Sequence, residues 1–118
     1  MYKYNEAISI LLNKLPELRK VYEENMDDYE DLPYVFYESV LVKFILNKVS
    51  CYEEDKLKTI FIFVEDMIAN GDEKTRNLIE VAIIESLYYE KDSKVKEIVL
   101  KFFGELTKKS YEECFTEI

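Results

Sequence analysis

The chain has 118 residues, 16 Lys and Arg against 25 Asp and Glu, a net charge of -9 and no His. That length suits one domain, 1–118, able to bury roughly two-thirds of the surface its unfolded chain exposes without a metal or disulfide staple. Without His the commonest general base and metal ligand are gone. An acidic chain is also repelled by phosphate and anionic lipid, which disfavours direct nucleic-acid or membrane binding.

Two Gly and two Pro among abundant Leu, Ile, Lys and Glu make helix-forming material with few turn signals. The expected fold is all-α: about six antiparallel helices in a compact bundle or a short HEAT-like stack. Ala7, Ile8, Leu11, Leu12 and Leu15 recur at helical spacing and predict a first helix from Tyr4 to Leu15. Its interrupted apolar run and lack of a small-residue cleavage site do not read as a signal peptide. Pro16 opens a second helix to about Met26, and Asp27 to Leu32 reads as a loop or frayed end. Pro33 starts a third, with Val35, Phe36, Val40, Leu41, Phe44, Ile45 and Val49 on one stripe, ending near Ser50.

A fourth helix fits Glu53 to Asn70, buried through Leu57, Ile60, Phe61, Val64, Met67 and Ile68, with Gly71 as a left-handed cap. Asp72 caps a fifth to about Glu90. Its Leu78, Ile79, Val81, Ala82, Ile83, Ile84 and Leu87 leave little polar surface, which marks a central helix. Asp92 or Ser93 caps a sixth that carries Val95, Ile98, Val99, Phe102, Phe103 and Leu106. Ser110 to Ile118 adds a last turn or two. The Asp-capped starts near Asp72 and Asp92 echo each other, which favours stacked helix pairs.

Chemistry is sparse. No Ser/His or Cys/His pair exists, Cys51 and Cys114 lack companions at zinc-ligand spacing, and two glycines cannot build a phosphate loop. Two cysteines are too few for a secreted disulfide scaffold, so both are expected as free thiols. No catalytic residue, cofactor or metal site is expected. Asp27, Asp28, Glu30 and Asp31 lack the ligand alternation, turn Gly and terminal Glu of a calcium loop. Glu65, Glu80 and Glu85 are expected at the edges of buried faces or paired with Lys58, Arg76 or Lys94. A sharper alternative puts Glu85 with Tyr88 and Tyr89 in a second acidic-aromatic contact. Tyr2, Tyr4 and Tyr111 read as half-buried rings with wet hydroxyls.

One stretch stands apart. From Val21 to Val42 there are seven carboxylates and no Lys or Arg, and the other 96 residues hold eighteen acids against sixteen bases. Ordinary solvated faces mix both signs. Aromatics among these charges are typical anchors of a protein contact. The candidate partner-binding set is Glu23, Glu24, Asp27, Asp28, Tyr29, Glu30, Asp31, Tyr34, Tyr37 and Glu38, facing a basic protein.

Between Thr59 and Glu113, the strings Phe63-Val64-Glu65-Asp66-Met67-Ile68, Asn70-Gly71-Asp72, Arg76-Asn77-Leu78-Ile79-Glu80-Val81-Ala82 and Glu85-Ser86-Leu87 resemble a family of small all-helical bacterial proteins from toxin gene neighbourhoods. The resemblance implies a cytoplasmic immunity protein. Its partner would be a cognate toxin domain, often a basic ribonuclease delivered by contact-dependent growth inhibition or related systems. Because such surfaces diverge with the toxin, it assigns no binding residues. The alternative is a non-enzymatic adaptor or chaperone-like module.

Overall fold

A computed structural model describes residues 1–29 and 31–114, which form eight helices and no strand beyond one isolated bridge. We number them α1 (Ala7–Lys14, led by the 3₁₀ turn Tyr4–Glu6), α2 (Arg19–Glu24, led by the 3₁₀ turn Pro16–Leu18), α3 (Met26–Tyr29), α4 (33–50), α5 (Glu54–Asn70), α6 (73–88), α7 (Ser93–Leu100) and α8 (Glu105–Glu113). One apolar cluster runs from Ala7 to Tyr111 and takes in side chains from every helix except α2 and α3. The radius of gyration is 13.5 Å, as expected of a globule this long. No described helix is long and apolar enough to cross a membrane.

The α5 stripe is buried as expected, with Phe63 added to it. In α6, every expected core residue is buried except Val81, which is 41% exposed. The exception has a local cause. Residues Glu80–Ile84 form a wide π-helical turn inside α6, and Tyr37–Leu41 form another inside α4. A π turn takes in about one extra residue and rotates the two flanking halves of the helix against each other, so a stripe drawn at a 3.6-residue period fails there. In α4 the consequence is that Val35 faces outward while Tyr37 is fully buried. The two π turns pack against each other at the centre of the fold.

Four further expectations are corrected. Asp27 to Tyr29 belong to a helical turn rather than a loop, because the amides of Asp28 and Tyr29 both donate to the Asn25 carbonyl. Gly71 is extended, with φ -84 and ψ 155, and not left-handed. It is glycine for space, since a Cβ there would crowd the Met67 carbonyl and the Thr75 side chain. The tight fit serves the N-terminus. Tyr2 donates its amide to the Asn70 carbonyl at 2.7 Å, accepts the Asp72 amide at 2.8 Å, and binds Asp66 through its hydroxyl, so that hydroxyl is not simply wet. The sixth helix stops at Leu100, and Ser110 lies inside a separate α8 that begins at Glu105. Residues 115–118 of the expected last turn lie outside the described residues.

Glu65 explains the start of α8. Its carboxylate accepts the amides of Leu106 at 3.0 Å and Thr107 at 2.8 Å and the Thr107 hydroxyl at 2.8 Å, capping a helix forty residues away. Glu65 does sit, half-buried, at the edge of the α5 face, but its partners are these amides and hydroxyl rather than a base. Gly104 makes the cap possible, since a Cβ there would stand 2.5 Å from the Glu65 carboxyl. Burial works to raise the Glu65 carboxyl. The three donated hydrogen bonds outweigh it and hold the group below its ordinary 4.5. The lowered value means a contribution to stability that is complete above about pH 4.5 and lost as the pH falls through the folded-state value. Glu65→Gln should therefore cost about 1–2 kcal/mol at pH 7. Paired thermal melts should show the gap closing below pH 4 and unchanged between pH 6 and 8.

The expected helix caps are present. Asp72 accepts the Thr75 amide at 2.8 Å, and Asp92 accepts that of Lys94 at 2.9 Å. Cys51 is a free, exposed thiol, and the half-buried Cys114 donates its thiol to the Ser110 carbonyl at 3.7 Å.

Candidate interaction surface

Phe36 fixes the acidic segment to the core. It follows Pro33 in the first turn of α4 and is fully buried. The Tyr22 ring meets it edge-on at a centroid distance of 5.4 Å, and Tyr29 does so at 5.2 Å. One aromatic from α2 and one from α3 thus clamp a single core ring. Such pairs are worth about 0.5–1.5 kcal/mol beyond the area they bury. The carboxylates of α2 and α3 accordingly stand on an ordered scaffold.

Glu23, Glu24, Asp27, Asp28, Asp31 and Glu38 are all exposed. Asp31 carries a backbone φ of +59°, a left-handed conformation that aspartate tolerates better than most residues. Among the described residues the ion pairs are Lys20–Glu24, Lys48–Glu53 and Lys56–Glu17, so of this set only Glu24 is paired, at 4.0 Å. Glu30 lies outside the described residues. Exposed apolar side chains are interleaved with the acids: Val21, Met26, Leu32 and Val35 are between 38% and 46% exposed. A periodic stripe puts Val35 in the core and gives no sign of this apolar component.

The three candidate tyrosines separate. Tyr29 is half-buried and borders a shallow apolar groove of about 320 Å³ with Leu18, Val21, Val40 and Phe44. Tyr34 is half-buried on another side, where its hydroxyl accepts from the Asn77 amide at 2.6 Å and its ring lies 5.9 Å from that of Tyr4. Tyr37 is not on the surface at all. It is 0% exposed, its hydroxyl donates to the Ala7 carbonyl at 2.7 Å, and burial pushes the phenol far above its ordinary value. The π turn that carries Tyr37 rotates it inward, which corrects its assignment to the partner-binding set.

A second groove, of about 740 Å³, runs between α1, α2 and the start of α4. Ile8, Leu12 and Pro33 form its apolar floor, and Tyr4 and Tyr22 stand at its sides. Glu23 and Asp31 border it together with Arg19, whose guanidinium donates to the Asn13 side-chain oxygen at 3.3 Å. The bases just outside the base-free segment thus return to it in space, Arg19 at this groove and Lys20 on Glu24. No group of three His, Cys, Asp or Glu side chains among the described residues converges as a metal site. Tyr88 and Tyr89 meet edge-on at 4.9 Å beside half-buried Glu85, with Tyr89 67% exposed.

No curated protein and no solved structure matches the chain. The profile of a family described as a domain of unknown function, DUF7674, matches residues 8–117, covering the acidic segment as well as the helices after it. The chain belongs to that family.

Proposed function

We propose that this protein is a stoichiometric binder of a basic protein, acting as a cytoplasmic immunity protein that occludes a cognate nuclease toxin domain without catalysis of its own. The observation that carries the reading is the surface of α2, α3 and the start of α4. Carboxylates Glu23, Asp27, Asp28 and Asp31, none ion-paired with a described residue, alternate there with exposed Val21, Met26, Leu32 and Val35. A nuclease must gather Lys and Arg around its phosphate substrate, and a field of opposite sign captures such a site quickly. The apolar side chains between the charges supply the contact that slows release. The resemblance of the segment from Thr59 onward to toxin-linked helical proteins supports the same reading. The matching Asp caps at Asp72 and Asp92 support a separate reading of the architecture, antiparallel helix pairs stacked in a HEAT-like way.

Steering and holding separate experimentally. Tyr29→Ala removes a ring of α3 that borders this surface, and should speed dissociation about thirtyfold while leaving the association rate nearly unchanged. Surface plasmon resonance against the purified toxin domain reads both rates. An unchanged dissociation rate would remove Tyr29 from the interface. The reading itself is tested by co-expression with the product of the adjacent gene. Growth rescue and one-to-one co-elution support it, whereas toxicity undiminished by this protein counts against it.

A further inference from the structure

We infer that the groove between α1, α2 and the start of α4 seats an arginine side chain of the basic partner, with Glu23 and Asp31 as its charge partners and Arg19 as the cation it displaces. The inference rests on the proposed binding of a basic protein and names the anchoring point within it. Four observations converge on this groove.

The first is shape and lining. At about 740 Å³ the groove has room for a long side chain. Ile8, Leu12 and Pro33 suit the methylenes of an arginine stem, and Tyr4 and Tyr22 add aromatic side chains to the lining. The second is charge. Glu23 and Asp31 border the groove from α2 and from the turn before α4, and neither is ion-paired with a described residue. Two carboxylates approaching from separate elements suit the planar fork of a guanidinium better than the point charge of an ammonium.

The third observation is the chain's own arginine. Arg19 already borders this groove, so a guanidinium fits among these groups, yet its hydrogen bond is a long 3.3 Å contact to the neutral Asn13. It is exposed and not ion-paired with a described carboxylate, and so is weakly held. The fourth is division of labour: Asp27 and Asp28 do not border the groove, which leaves them to long-range steering.

The test is NMR titration of the full chain with N-acetyl-arginine amide, with N-acetyl-citrulline amide as the neutral isostere. Saturable shifts should appear at Ser9, Asn13, Tyr22, Glu23 and Asp31, with citrulline binding at least about fivefold weaker. The Glu23→Gln, Asp31→Asn double variant should lose saturation. Asparagine keeps the left-handed tolerance needed at position 31, so this variant folds, as circular dichroism will check. Arg19→Ala should bind the arginine probe several-fold more tightly, because a competing cation is gone.

Equal weak shifts from both probes, or weaker arginine binding by Arg19→Ala, would overturn the inference. A basic toxin domain that binds the double variant as tightly as the wild type would overturn the inference and leave the proposed function standing. A toxin domain that does not bind the wild type removes that function instead, while the arginine titration still decides whether the groove takes a guanidinium.

Discussion

Tyr37→Ala should destabilise the protein by about 4 kcal/mol, a large part of the roughly 5–15 kcal/mol that holds a domain of this size together. The ring is fully buried, so truncation loses its transfer free energy and leaves a cavity that the rigid surroundings fill only in part. The site also lies in the π turn of α4, packed against the π turn of α6, where two central helices meet. The phenol adds a second contribution through its hydrogen bond to the Ala7 carbonyl, which ties α4 to the first turn of α1. Tyr37→Phe keeps the ring and isolates that bond, at a cost of about 1 kcal/mol. Urea denaturation measures both variants. Equal midpoints for wild type and Tyr37→Ala would place the ring outside the core. Because Tyr37 does not reach the surface, the fraction of Tyr37→Phe that folds should bind the partner as the wild type does.

The other large effect is kinetic. Replacing Glu23, Asp27, Asp28 and Asp31 together by Lys should lower the association rate with a basic partner by about tenfold to a thousandfold at low salt. The loss should shrink as ionic strength rises, because the Debye length falls to about 8 Å near physiological salt. All four side chains are exposed and none is ion-paired with a described residue, so the loss of the charges should cost little stability, and the fall in thermal midpoint should come mainly from lysine in the left-handed conformation at position 31, roughly 1–2 kcal/mol. Stopped-flow association at several salt concentrations, with a melt on each sample, separates the two effects. An unchanged rate with unchanged salt dependence would reduce the segment to a solvated face.

How much of the fold is legible in the sequence depends on how local each interaction is. The caps at Asp72 and Asp92 bond within three residues of themselves, and the stripe of α5 obeys a regular period, so both can be read directly. Val35 and Tyr37 exchange places between surface and core because the wide turn of α4 is set by packing against α6, which no periodic template contains. The role of Glu65 is hidden for the same reason, its partners being forty residues away across Gly104. Gly71 looks like a left-handed cap because what demands its small size, the Met67 carbonyl and the Thr75 side chain that a Cβ would crowd, comes together only where α5 turns into α6.

The candidate surface is legible as charge and not as shape. A run of acids without bases is visible in one dimension, and the segment does present its described acids outward. The exposed Val21, Met26, Leu32 and Val35, the return of Arg19, and the groove floored by residues of α1 exist only once α1, α2 and α4 pack together.

The central claim is most directly tested by titrating this protein into the product of the adjacent gene and monitoring cleavage of labelled RNA or DNA. Stoichiometric occlusion predicts a linear loss of activity that reaches zero at one equivalent, with substrate and inhibitor competing for the enzyme. Cleavage undiminished at excess inhibitor, or abolished by a small fraction of an equivalent, would contradict it.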